Sequence, residues 1–390
     1  MVWGRTLLPF FGIKPTSEEC RLSARFAVFI AIVQAILFAG HFLVYETFRY
    51  FSPSADSTVI TVVRLVVTLL SISFVVASLL AARYYNLFMR LFYTAASIWL
   101  GMLNFLVLAS VLCWILYAAF AIAGVGVSRS ALISTLFAGA LLVSLYGIIN
   151  ASSIRVTRVT VRLPVLPQSW RGRVAALVSD THLGHVRNYR FISRVVAMLR
   201  QLRPEIVFIA GDLYDGTKVE PKHLAAPWMH LSPPLGTFFV TGNHEEFSHP
   251  SQYAHVLQQC GVRPLLDEKV VVDGVQLIGV TYHTLTTPER LTCVLRNAAI
   301  EPHTSSILLA HAPHGLSTVE QLGVSLQLSG HTHCGQIFPF TWITSRIFRQ
   351  YTYGLNRHGA LTVYTSSGAG TWGPPMRVGS RPEIVLIQFE

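Results

Sequence analysis

Four long apolar runs fill the first 150 residues, and they limit what this chain can become more than any other feature. Residues 26–45, 94–124 and 131–149 hold no Lys, Arg, Asp or Glu, and 59–82 holds only Arg64. A helix needs about 20 apolar residues to cross a bilayer, so each run is long enough. The expectation is a four-helix transmembrane anchor over residues 1–150. The third run exceeds one crossing and should tilt or extend past the membrane. The first is too long for a cleaved leader and has no small-residue cleavage site.

Composition agrees. Of 390 residues, 52% are hydrophobic and 13% charged, against roughly 25% charged in soluble domains. The net charge of +11 divides unevenly: residues 1–160 hold 11 basic against 4 acidic side chains (+7), and residues 161–390 hold 19 against 15 (+4). Arg5, Lys14, Arg21 and Arg25 precede the first run, Arg83 and Arg90 sit between the second and third, and Arg155, Arg158 and Arg162 follow the fourth. The opposite loops carry Arg49 and Arg129. Basic residues favour the cytoplasmic side, so both ends, and the C-terminal half with them, are expected in the cytoplasm. The same bias accounts for the positive charge without nucleic acid, since no Lys/Arg run could track a phosphate backbone. Arg64 lies near a helix end and is expected to snorkel or to pair within the bundle. Five cysteines in no regular spacing fit a reducing compartment.

Histidine marks the other half. Only His41 precedes residue 182, and the remaining fourteen of 15 follow. Residues 151–172 read as a linker plus an edge strand, and 173–390 as an α/β domain. Short apolar runs there end in polar clusters. Residues 174–178 lead to Asp180 and His182. Residues 206–210 lead to Asp212 and Asp215, and 237–240 to Asn243, His244 and Glu245. Residues 307–310 lead to His311, and 324–328 to His331 and His333. Residues 191–202 have helical spacing between two of these runs. Strands feeding helices gather their sites at the strands' carboxyl ends.

Singly, each cluster also reads as a cap, a turn or a loop histidine. Together Asp180, His182, Asp212, Asn243, His311, His331 and His333 form a nitrogen and oxygen donor set without a thiolate. Such a set suits Mn²⁺, Fe or Zn²⁺. Seven donors exceed one tetrahedral ion and fit two if one carboxylate is shared, the clamp used for phosphoryl displacement.

In order, the blocks Asp-x-His, Gly-Asp-x-x-Asp, Gly-Asn-His-Glu, His and Gly-His-x-His resemble the calcineurin-like metallophosphoesterase superfamily over about residues 170–390. Four spans ahead of them are similar to its membrane-bound branch, as is the ending with Tyr353-Gly354-Leu355, Gly373-Pro374-Pro375-Met376-Arg377 and Arg381-Pro382-Glu383. The resemblance implies a β-sandwich of two mixed sheets flanked by helices. It implies two divalent ions, one on Asp180, His182 and His333, the other on Asn243, His311 and His331, with Asp212 bridging. His244 would be the catalytic histidine, oriented by Asp215, and a metal-bridging hydroxide the nucleophile. The implied activity is hydrolysis of a phosphodiester, phosphomonoester or pyrophosphate. A membrane scaffold or sensor with a vestigial domain is the alternative, and the complete donor set argues against it. Cys334 departs from the small residue that relatives often carry there, and residues 280–283 lack the branch's acidic pair.

Beyond the last block, residues 337–353 mix aromatic and aliphatic side chains with Arg346 and Arg349. Such a segment suits a membrane interface. One expectation is a lip, with Trp342 and Phe348 binding a lipid-linked phosphoester beside the membrane lipids. Packing of the same residues in the domain core is the other.

Overall fold

A computed structural model describes residues 17–248 and 250–390 of the chain. The basic start with Arg5 and Lys14 lies outside the described residues. Contacts divide the chain into two units: residues up to 149 with Gly373–Met376, and Asn150–Trp372 with Arg377–Glu390.

In the first unit each apolar run is a helix: α1 Ser17–Phe51, α2 Ser57–Ala81, α3 Leu87–Ile122 and α4 Arg129–Ser152. All four are long and apolar enough to cross a membrane. Asp56 and Asn86 start α2 and α3 by accepting from the main-chain N–H of Thr58 and Met89 at 3.0 and 2.9 Å, which satisfies donors that a helix start leaves open. The 36 residues of α3 would rise about 54 Å, beyond a hydrocarbon core of about 30 Å.

Hydrogen bonds join these helices. Trp99 donates to Nε2 of His41 at 2.9 Å, Trp114 donates to Thr47 at 2.9 Å, and Gln34 donates to the Ser71 carbonyl at 2.8 Å. Polar groups facing lipid would lack such partners. Large apolar side chains such as Phe29, Ile36, Leu69 and Leu142 point outward, as a lipid-facing surface requires. Arg64 is exposed on α2.

The second unit is an α/β domain. Its strands are β1 Arg155–Val161, β2 Val174–Val178, β3 Ile206–Ala210, β4 Thr237–Val240, β5 Val262–Pro264 and β6 Glu268–Val272. They continue with β7 Val275–Gly279, β8 Ser306–Leu309, β9 Leu326–Ser329, β10 Gly354–His358, β11 Leu361–Thr365 and β12 Glu383–Phe389. One sheet runs β1-β12-β2-β3-β4-β5 and the other β10-β11-β9-β8-β7-β6. Strands β2 to β5 are parallel, as are β11, β9, β8 and β7. Antiparallel pairing of β12 with β2, β10 with β11 and β6 with β7 makes both sheets mixed.

Alternation along the strands builds three apolar layers. Leu177, Phe208, Leu309 and Leu328 face between the sheets, where Trp170, Tyr364 and Phe389 also pack. Val178, Val207 and Ile209 turn outward onto helix Tyr189–Leu202. Leu308 and Ala310 turn outward on the other side, with Leu291, Leu295 and Val319. A buried carboxylate ties the edge. Glu383 accepts from Tyr353 at 2.9 Å, from the Ser367 N–H at 3.1 Å and from Thr157 at 2.5 Å, which joins β1 to the segment after β11.

Leu177 has no exposure, so Leu177→Ala removes apolar contacts from both sheets. The substitution should destabilise the full-length protein by about 2–5 kcal/mol. Thermal unfolding in detergent checks this, and an unchanged midpoint would contradict the packing described.

Candidate metal centre

All five polar clusters sit where a strand ends. Asp180 and His182 follow β2, Asp212 follows β3, Asn243 follows β4, His311 follows β8, and His331 and His333 follow β9. Five of these residues leave their strands with left-handed backbones: Asp180 (φ 52°), His182 (47°), Asp212 (49°), His331 (71°) and His333 (49°). Asp, Asn and His enter that region more readily than other non-glycine residues, and non-glycine residues held there cluster at functional sites. Close approach demands glycine beside them. A Cβ on Gly242 would lie 2.1 Å from Oδ1 of Asp212, and one on Gly330 would lie 2.2 Å from Oδ2 of Asp180.

The structure brings all seven candidate donors together. His182 and His333 face each other through their Nε2 atoms at 3.0 Å, and Nε2 of His333 lies 3.5 Å from Oδ1 of Asp180. On the other side, Oδ1 of Asn243 is 3.2 Å from Nε2 of His311 and 3.1 Å from Nδ1 of His331. Asp212 stands between the two groups, with Oδ2 at 3.2 Å from Nε2 of His311 and 3.7 Å from Nε2 of His182. Asp180, His182 and His333 form one group able to hold a metal ion, and Asp212, His311 and His331 form another.

Second partners aim these rings. Nδ1 of His311 donates to the Ala210 carbonyl at 2.8 Å, which leaves Nε2 for the cluster. Arg377 donates to the His333 carbonyl at 2.9 Å and reaches Nδ1 of the same ring at 3.3 Å. That guanidinium is fully buried on the carbonyls of Ser367, Gly368 and Gly370. Glu245, also buried, accepts from the N–H groups of Asp212, Gly242 and Tyr214 at 2.9, 2.7 and 2.9 Å. It thereby locks the β3 and β4 loops together.

Burial sets the charge state. It pushes His182 and His333 well below the usual histidine range and His331 down to about 3. Burial also lifts Asp180 to about 6. At His311 burial acts downward, but the Asp212 carboxylate outweighs it and holds the imidazole up at about 10. Asp212 is held low by His311, His244 and His182 against the opposing effect of burial. Neutral His182, His331 and His333 and a protonated His311 therefore converge on the buried carboxylates, and Nδ1 of His182 has no hydrogen-bond partner. Nitrogen and oxygen donors packed this closely fit divalent cations. The nearby Cys334 thiol is pushed up by burial, so it adds no thiolate.

Other expected site residues fall differently. His244 belongs to the cluster, its ring 4.8 Å from His182 and its Nε2 4.0 Å from Oδ2 of Asp212. Asp215 meets His244 through its main-chain carbonyl, which accepts from Nδ1 at 2.7 Å. Its carboxylate instead accepts from the Thr217 N–H and hydroxyl at 2.8 and 2.5 Å. Phe348 reaches the site, its ring 6.1 Å from His331 and 5.6 Å from His314. Trp342 is 58% exposed, with the Arg346 guanidinium 4.8 Å above its ring.

Sequence reasoning assigned no role to Glu245, Arg377, Tyr282 or His314. The first two stood inside recognised blocks. Tyr282 packs 5.8 Å from both His311 and His331, and His314 lies 6.3 Å from His331, with no sequence mark beyond residue type.

Two outcomes follow from this arrangement. Asp212→Asn should remove most divalent-metal binding by the purified protein, as read by metal content after dialysis. Since His311 holds a proton up to about 10 and must lose it to ligate, metal uptake should release protons and tighten as pH rises from 6 towards 9. Calorimetry in buffers of different ionisation enthalpy reads that release, and pH-independent uptake would contradict it.

The calcineurin-like phosphoesterase model matches residues 174–335. A transmembrane protein with metallophosphoesterase domain from Danio rerio is 32% identical over 266 residues, covering 63% of this chain and 59% of that protein. An uncharacterized metallophosphoesterase of Helicobacter pylori is 33% identical over 217 residues, covering 55% and 58%. Against these relatives the chain spans less than two thirds of their length. An uncharacterized metallophosphoesterase of Aquifex aeolicus is 30% identical over 261 residues, covering 64% of this chain and 97% of the relative. With that coverage and the family match across the strand-end clusters, the chain belongs to the calcineurin-like phosphoesterase family.

Proposed function

We propose that this membrane protein hydrolyses a phosphoester with two divalent ions, of Mn²⁺, Fe or Zn²⁺. Asp180, His182 and His333 would hold one ion, Asn243, His311 and His331 the other, and Asp212 both. The observation that carries this reading is the convergence of seven buried or half-buried nitrogen and oxygen donors from five strand ends. Ions bound there would activate water and neutralise charge on the phosphoryl group.

His244 handles the proton. With Nδ1–H donated to the Asp215 carbonyl, its Nε2 is the nitrogen turned towards Asp212. From that position a protonated His244 can deliver a proton to the leaving oxygen, a contribution of about 10²–10⁴ in rate. Asp215 acts through its carbonyl, so replacing its carboxylate should matter less than replacing His244. Arg377 fixes the His333 ring and keeps the C-terminal segment beneath it.

A lipid-linked phosphoester is the substrate class we favour. Phe348 places an aromatic ring beside His331 and His314, and four helices can hold the chain in a membrane. The arginine distribution supports a cytoplasmic catalytic side.

Full-length protein in detergent should hydrolyse bis-p-nitrophenyl phosphate only with an added divalent ion. No turnover with Mn²⁺, Fe²⁺ or Zn²⁺ would refute the hydrolase reading. His244→Ala should keep its metal and lose about 10²–10⁴ in kcat, and a kcat equal to the parent's would remove His244 from the mechanism.

A further inference from the structure

Helix Phe340–Phe348 follows the His331 and His333 loop and contains no buried residue. Its positions divide by helical spacing. Phe340, Ile343 and Ile347 lie along one face, 53%, 44% and 67% exposed, with Trp342 beside them. Thr341, Thr344 and Phe348 lie on the other face and are half-covered. That second face is the one that sends Phe348 to His331 and His314. A helix washed by water on its outer face should be polar there, and this one is aromatic and aliphatic.

Charge identifies the partner. Residues 321–382 contain Arg346, Arg349, Arg357, Arg377 and Arg381 and no Asp or Glu. Four of these arginines are exposed, and only Arg377 is buried. Arg346 lies over Trp342, which keeps its guanidinium beside an apolar ring, as snorkelling side chains do at an interface. An apolar stripe rimmed by uncompensated arginine is complementary to an anionic lipid surface. The same chain has four helices fit to cross a bilayer, so a membrane is always within its tether.

We propose that helix Phe340–Phe348 docks in the headgroup layer of an anionic bilayer. Phe340, Trp342, Ile343 and Ile347 sit at the acyl boundary, and Arg346 and Arg349 meet lipid phosphates. A cavity of about 600 Å³ borders the helix, lined by Cys334, Phe338, Pro339, Thr341, Trp342 and Gly379. Cys334 follows His333 in the chain, so one wall of this open hollow belongs to the loop that carries a candidate metal ligand. Docking itself does not require hydrolysis and stands if the proposed reaction proves wrong.

The test uses full-length protein in nanodiscs that each hold a single chain. A bimane is attached at Ile347→Cys, with Cys293→Ser removing an exposed native thiol. The Cys293→Ser protein labelled in parallel gives the background. In discs containing phosphatidylglycerol, quenching by aqueous iodide should be several-fold weaker than for free bimane-cysteine, and lipids spin-labelled near the headgroup should quench it strongly. Arg346→Glu with Arg349→Glu should restore iodide access. Iodide quenching equal to the free dye overturns the proposal. So does shielding that appears only when two chains share a disc, which would assign the face to a second copy. Hydrolysis of bis-p-nitrophenyl phosphate by the same labelled protein is read separately, so failure of docking and failure of the reaction are told apart.

Discussion

Asp212 is a carboxylate out of reach of water, and the C-terminal domain is arranged around keeping it ionised. Burying such a charge is unfavourable by several kcal/mol unless it is paired and hydrogen-bonded. His311, His182 and His244 surround it, and the His244 N–H reaches its other oxygen at 3.0 Å. Each partner arrives from a different strand end, so the requirement spreads outward. Glu245 holds the β3 and β4 loops in register, and the Ala210 carbonyl turns His311. The sheets supply the frame, but an unpartnered anion at their ends is what the loops are shaped to avoid.

How much of this the sequence carried depends on which atoms did the work. Val174–Val178 and Ile206–Ala210 were legible because strands buried on both faces become continuous apolar runs. The donors were legible because Asp, Asn and His just past such runs are chemically conspicuous. That Asp215 meets His244 through its carbonyl could not be read ahead, because main-chain atoms leave no signature in a sequence. Arg377 lay in a recognised block, yet nothing in its identity says that a guanidinium will be fully buried on carbonyls. Edge strands such as β10, Gly354–His358, alternate half-covered and exposed residues and so lack the clear apolar run.

The segment after His333 shows a different limit. Its apolar content suits either a core or an interface, and periodicity alone cannot tell which, because the covering element lies elsewhere in the chain. The fold decides against the core for helix Phe340–Phe348. It sets the ring of Phe348 beside His331 and His314 and the guanidinium of Arg346 over Trp342. In the first unit, by contrast, residue type sufficed, since a run that must satisfy its own backbone in lipid has little choice but a helix.

The donor loops come from both halves of the sandwich, β2, β3 and β4 on one sheet and β8 and β9 on the other. Ions bound among them would act as a clasp that closes only once the sheets have docked. By mass action, a ligand that binds only the docked state favours it by about 2.7 kcal/mol at a hundredfold excess over its Kd. Metal supply would then govern how long the domain survives proteases. Starvation for the ion would lower the amount of protein before any shortage of substrate was felt.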